Sequence, residues 1–250
     1  MGKGSVLILL ALLLNSSVAA QESEAELQRK TAAERNPHQR LVLLYEWMKA
    51  YPQSPRRRER NDLLLRTQKE LGRTGEMLPT LRQMAQDDPA GSGGVLLCLY
   101  TVNSRINTPA VLDEAERSAK AIEAQGGGGN RGNRNHESRN QEIARRTLGW
   151  VSLMRSEYDS AEREFTSVLQ QNPKDGEVSY WLGSCYLAQD QKDKALYHLM
   201  RASLVNGPDA VPASVKRNLR PFLEKLYREV HGNTSGLEAL RRTSQNKVFP

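Results

Sequence analysis

The apolar positions of this chain recur at helical spacing, and part of the pattern repeats. From Ala161 a large apolar residue follows four places on (Phe165), another three later (Val168), and a proline at offset twelve (Pro173). The same series runs from Ala195 through Leu199 and Ala202 to Gly207, with Pro208 one place late. Steps of four and three put these residues on one face of a helix. Proline ends it, because it cannot continue the hydrogen-bond ladder and it restricts the residue before it. Upstream, Leu148-Gly149 recurs as Leu182-Gly183, with Tyr186 after the second copy, so this stretch can be laid over itself at 34 residues.

The same ruler finds weaker copies nearer the N-terminus. Met77, Leu81, Met84 and Pro89 fit it, as do Ala115, Ala119, Ile122 and Gly127. Arg40, Leu44, Trp47 and Pro52 fit in part, since Arg40 stands where the small residue belongs. The starts at 40, 77, 115, 161 and 195 are spaced by 37, 38, 46 and 34, and the longest spacing contains a Gly-rich insertion. Each unit reads as a helix pair that cannot bury its apolar face alone, so neighbours must stack. An irregular helical array is the other reading of the upstream half.

Leu-Gly on a first helix, then Ala, a large residue and Pro along a second, resembles the tetratricopeptide repeat (TPR) family. The family Trp three places before Leu-Gly is Arg145 in one copy and Ser179 in the other, and the Tyr after it is Ser152 in the first. The resemblance implies an all-α fold, a TPR-like α-solenoid of about five stacked antiparallel helix pairs with a C-terminal capping helix. Leu148, Gly149, Ala161, Phe165, Pro173, Leu182, Gly183, Tyr186, Ala195 and Leu199 take the structural positions of the repeat. It also implies a non-catalytic protein-protein interaction scaffold, with a partner peptide or helix in a concave groove lined by the first helices. The family's inner positions carry over to Arg145, Arg146, Trp150, Leu153 and Met154 in one repeat. In the next they carry over to Ser179, Tyr180, Ser184, Leu187 and Ala188. The sharper reading is an anchor pocket for an apolar or aromatic side chain, with Arg145 or Arg146 meeting a carboxylate. The other is that Trp150 and Tyr180 pack against adjoining helices.

Before the repeats, Lys3, the apolar run from Val6 to Leu14 and the small residues Val18-Ala19-Ala20 read as a secretory signal peptide cut near Ala20. The run is short for a membrane span, although an uncleaved anchor is the alternative. The expected location is therefore the cell envelope of a bacterium, periplasmic or extracellular. Residues 21–125 are expected to form degenerate helix pairs, 126–140 a flexible Gly/Asn/Arg-rich loop, 141–208 two clear repeats, and 209–250 capping helices and a tail. Val215, Leu219, Phe222, Leu223, Leu226, Tyr227 and Val230 form an apolar stripe suited to the cap.

The formal net charge is +7 and the sequence pI near 9.5. Arg56, Arg57, Arg58 and Arg60 form one basic cluster; Arg131, Arg134 and Arg139 form another. They raise an alternative function, a basic surface module binding anionic lipid, polysaccharide or nucleic acid through Arg-rich loops. No aromatic is interleaved for base stacking, so no specific nucleic acid is expected. Gly126–Gly129 lacks the Gly-Lys-Ser/Thr ending of a phosphate loop. His38, His136, His198 and His231 have no metal spacing, and His198 reads as a partly exposed helix residue. No nucleophile-base motif occurs, so neither catalytic residues nor cofactors nor metals are expected. Cys98 and Cys185 should lie two repeats, roughly 20 Å, apart, beyond the reach of a disulfide at about 7 Å, and read as buried small hydrophobes.

Overall fold

A computed structural model of the protein describes residues 22–125 and 134–250. The expected leader and residues 126–133 of the Gly-rich segment lie outside the described residues. Among the described residues there is no strand. The helices are α1 (Glu24–Ala33), α2 (Pro37–Ala50), α3 (Arg57–Glu70), α4 (Leu78–Asp87), α5 (Ser92–Asn103), α6 (Pro109–Gln125), α7 (Arg134–Met154), α8 (Tyr158–Gln171), α9 (Gly176–Ala188), α10 (Lys192–Leu204), α11 (Ala213–His231) and α12 (Leu237–Asn246). A 3-10 turn spans Thr74–Glu76. The repeat ruler falls on alternate helices, α2, α4, α6, α8 and α10. The chain divides into two compact units with the boundary between Met77 and Leu78, so the second expected pair is shared between them.

In the first unit, Asn36 caps α2, its side-chain oxygen accepting from the His38 amide at 2.9 Å, and Pro37 opens the helix. Leu27, Leu41, Leu44, Trp47 and Leu64 form the core. Arg40 explains the imperfect first copy. Its Nε donates to Thr67 Oγ1 at 2.8 Å and its Nη1 to the Glu34 carbonyl at 3.1 Å, so a hydrogen-bonded strut joins α2 to α3 where a small residue would allow close approach. Trp47 Nε1 donates to Glu24 at 2.9 Å. With the Ser54 hydroxyl, which also bonds this carboxylate, it holds Glu24 below its ordinary range. Arg60 does not belong with the surface cluster. It is buried, donates to the Tyr51 carbonyl at 2.8 Å and lies 6.0 Å from the Trp47 ring.

In the second unit, α5/α6, α7/α8 and α9/α10 form the antiparallel pairs. A Cβ on Gly149 would run into the Phe165 ring, and one on Gly183 would lie 2.7 Å from Leu199 Cγ. The missing side chains let each second helix press its large residue against the first. Ala161 and Ala195 on those second helices are wholly buried, as is Leu182; Leu148 is half-buried beside Ala144 and Ile122. Tyr186 is buried with its hydroxyl donating to Glu162 at 2.8 Å. α8 stops at Gln171, two residues before Pro173. Asp175 caps α9 by accepting from the Val178 amide at 2.8 Å. Cys98 and Cys185 are free and buried, and burial pushes both thiols up to about 12.

Two expectations are corrected. α7 begins at Arg134, so it takes in residues 134–140 of the expected loop. His198 is 1% exposed rather than partly exposed. Tyr186 stacks on it at 5.5 Å, Tyr197 meets it edge-on at 5.5 Å, and Phe249 closes over it at 6.0 Å. Burial first, then the charges of Arg201 and Lys194, push its imidazole down to about 4. Asp175 moves the other way, up to about 6, because burial outweighs the pull of Arg146.

Two tests follow from this packing. Gly183→Leu should overfill the contact with Leu199 and destabilise the protein by about 1–3 kcal/mol, read as a lowered urea midpoint; an unchanged midpoint would place the glycine elsewhere. The second concerns pH. A histidine whose folded pKa is depressed contributes stability that is complete above its unfolded value near 6.5 and is lost as pH falls toward about 4. Asp175, raised in the fold, acts with the opposite sign below about 6, so the histidine is isolated by comparison with His198→Phe. Wild-type stability relative to that variant should fall by up to about 3 kcal/mol between pH 7 and 4, at about 1.4 kcal/mol per pH unit. A pH-independent difference would contradict the buried neutral imidazole.

Candidate functional site

α9 carries Tyr180, Ser184 and Leu187 at steps of four and three, which aligns them on one helix face. α11 carries Val215, Asn218, Leu219 and Phe222 at matching steps. With Leu199 of α10 these residues line a cavity of about 290 Å³. Leu219, Leu223 and Leu226 are buried in the core beneath α11, whereas Phe222 is 40% exposed. The Ser184 hydroxyl is used on its own helix, donating to the Tyr180 carbonyl at 3.0 Å. The lining therefore offers an aromatic ring on each side and aliphatic carbon between, a surface that can hold an apolar side chain.

Three of the ten expected inner-face residues, Tyr180, Ser184 and Leu187, thus meet in one groove. The other seven are not part of its lining; Ser179, for one, is buried with its hydroxyl donating to the Asp175 carbonyl at 2.9 Å. Trp150 is 5% exposed, its Nε1 donates to the Ile106 carbonyl at 2.9 Å, and its ring lies 5.3 Å from Trp181. Trp181 in turn lies 5.6 Å from Phe165. This aromatic run is the core between repeats, so Trp150 is a packing residue and not an anchor. Arg146 is committed as well. It pairs with Asp175 at 2.5 Å and with Glu177, and its guanidinium stands 5.0 Å from the Trp181 ring. Arg105 holds the other oxygen of Glu177 at 2.9 Å. Arg145 donates to Ser167 at 2.8 Å and lies 3.5 Å from Glu123. Leu153 and Met154 are half-buried against the main core. The expected arginine-and-aromatic pocket is therefore not assembled, because the chain's own acids and rings have taken its members.

Of the residues that complete the groove, Val215, Leu219 and Phe222 were read only as part of a capping stripe, and Asn218 was not singled out. Their signal was Phe222, which widens that stripe beyond what a core-facing edge needs. A second cleft of about 320 Å³ lies between α10, α11 and α12. Its wall is strongly charged: Arg220 pairs with Glu224 at 3.7 Å and Arg241 with Glu238 at 3.8 Å, while Lys216 donates to Asn206 at 2.8 Å. It therefore offers less to an apolar ligand. Among the described residues no helix is long and apolar enough to cross a membrane.

Residues 152–219 match the sequence profile of the tetratricopeptide repeat family. No curated protein matches the chain. The crystal structure of a tetratricopeptide repeat protein from Parabacteroides merdae ATCC 43184 is similar, at 14% identity and a TM-score of 0.47, over 91% of this chain and 86% of that one. A thermophilic TPR protein from Thermus thermophilus is similar at 19% identity and a TM-score of 0.32, over 82% of this chain and 98% of that one. The matched segment, residues 152–219, holds the pair in which Gly183 receives Leu199, and it is this segment that carries the tetratricopeptide repeat pattern.

Proposed function

We propose that the protein is a non-catalytic interaction scaffold of the cell envelope that receives a partner's helix or extended peptide in the groove between α9 and α11. The observation that carries this reading is the exposed Phe222 facing a cavity walled by Tyr180 and Leu187. An apolar anchor entering there would be desolvated on several sides, the setting in which aromatic contacts contribute most to binding. The envelope location rests on the leader-like N-terminal sequence. The alternative, an Arg-rich surface for anionic partners, loses Arg60 to the core of the first unit.

The test is photo-crosslinking capture from an envelope extract, with a cross-linker placed on α11 beside the groove. Tyr180→Ala together with Phe222→Ala should keep the helical signal and a cooperative melt. Two anchors at about 2 kcal/mol each should together weaken capture by nearly three decades, roughly 700-fold. Capture should change little between low and several hundred millimolar salt, since apolar contacts are not screened. Trp150→Ala should behave differently, losing about 3–5 kcal/mol of stability as a large core ring is removed. Capture that survives the double substitution and disappears with salt would favour the basic surface.

A further inference from the structure

The repeat register shows that the outer face of α10 is covered. Two places past the small residue that opens each second helix, α6 carries Arg117 and α8 carries Arg163, both exposed. α10 carries Tyr197 there, 3% exposed. Six places past it, Ala121 and Ser167 are half-buried, whereas Arg201 is 6% exposed. The cover is supplied by this chain. α12 packs on α10, and residues 247–250 continue beyond it without helical structure.

That segment is held as a bound peptide is held. Arg201 Nη1 donates to the Lys247 carbonyl at 2.8 Å, and also to that of Ser244, in the last turn of α12, at 3.2 Å. The Tyr197 hydroxyl lies 3.2 Å from the Lys247 carbonyl and 3.1 Å from that of Phe249. These acceptors are main-chain groups, which any extended segment possesses. The side chain read most closely is Phe249, whose ring stands edge-on to His198.

Two buried groups beneath the segment lack what they need. Arg201 Nε has no acceptor, and among the described residues no carboxylate meets this guanidinium. His198 Nδ1 also has no partner. A buried cation matched only by carbonyls is an expensive arrangement. A segment bringing an acid next to its aromatic residue would satisfy the site better than the Lys-Val-Phe sequence that fills it.

We propose that the outer face of α10 is a second peptide-binding site, closed in the free protein by residues 247–250. It is taken over by a partner segment that is extended, sets an aromatic ring on His198 and brings a carboxylate to Arg201. The site is separate from the α9–α11 groove, because Leu199, which lines that groove, and Tyr197 are two places, about 200°, apart around α10.

The probes are two fluorescent synthetic peptides, residues 244–250 and the same segment with Lys247→Glu. The protein is the full chain, wild type or carrying Phe249→Ala, which weakens its own segment. The Phe249→Ala chain should bind the Lys247→Glu peptide about tenfold or more tighter than the native-sequence peptide, the gain expected of a charge-assisted hydrogen bond. Wild type should bind both at least about tenfold more weakly, through competition, and adding Tyr197→Phe to the loosened chain should weaken both. Equal affinity for the two peptides overturns the acid preference. Absence of binding to a Phe249→Ala chain that melts like wild type overturns the site. Should Phe249→Ala fail to fold, hydrogen exchange of the wild type decides. The Lys247 amide must exchange through an opening that leaves α10 protected, whereas exchange together with α10 would make the segment a fixed part of the core.

Discussion

How closely the two helices of a pair can approach decides most of what the second unit does. At Gly149 and Gly183 the first helix presents bare backbone, and Phe165 and Leu199 fill the space that a side chain would occupy. Close approach brings each large residue under the neighbouring repeat. There Phe165 meets Trp181, and Trp181 meets Trp150, so one contact within a pair becomes a contact between pairs. The position of Leu199 in turn sets the wall shared by the α9–α11 groove. Stacked repeats are stabilised by such neighbour terms, since no single unit buries its own face.

Charge is handled by the same economy of space. Arg60, Arg146 and Arg201 are each drawn inward, against the Trp47 ring and carbonyls, against the Trp181 ring and two acids, and against carbonyls alone. Guanidinium suits these places because it is planar, weakly hydrated and able to donate in several directions. A pI near 9.5 therefore overstates how basic the accessible surface is. Correspondingly less cationic surface is left for an anionic partner.

The helical periods, the alternate second helices and the Gly-to-large contacts were legible in the sequence, because they depend on spacing and size within one repeat. Tyr180, Ser184 and Leu187 were legible as a face for the same reason. Trp150 was not, since the repeat pattern does not tell whether a ring beside Gly149 meets solvent or the ring of the next unit. His198 was misread because its burial depends on Phe249, which lies 51 positions away in a segment without periodicity. The start of α7 was missed because residues 134–140 contain no apolar residue to mark a helix face.

The return of α12 and residues 247–250 over α10 bears on how this end of the molecule comes apart. A plain linear array frays from its last repeat inward, each unit leaving at the cost of a single interface. Here α10 is held by α9, α11 and α12 together, and Arg201 also reaches back to the Pro173 carbonyl at the preceding turn. With the segment in place, α11 cannot peel away while α12 remains seated on α10, so the last three helices are coupled into one cooperative unit. Release of a few residues at the clasp would restore stepwise fraying, which makes the cooperativity of this end a property that a bound peptide can change.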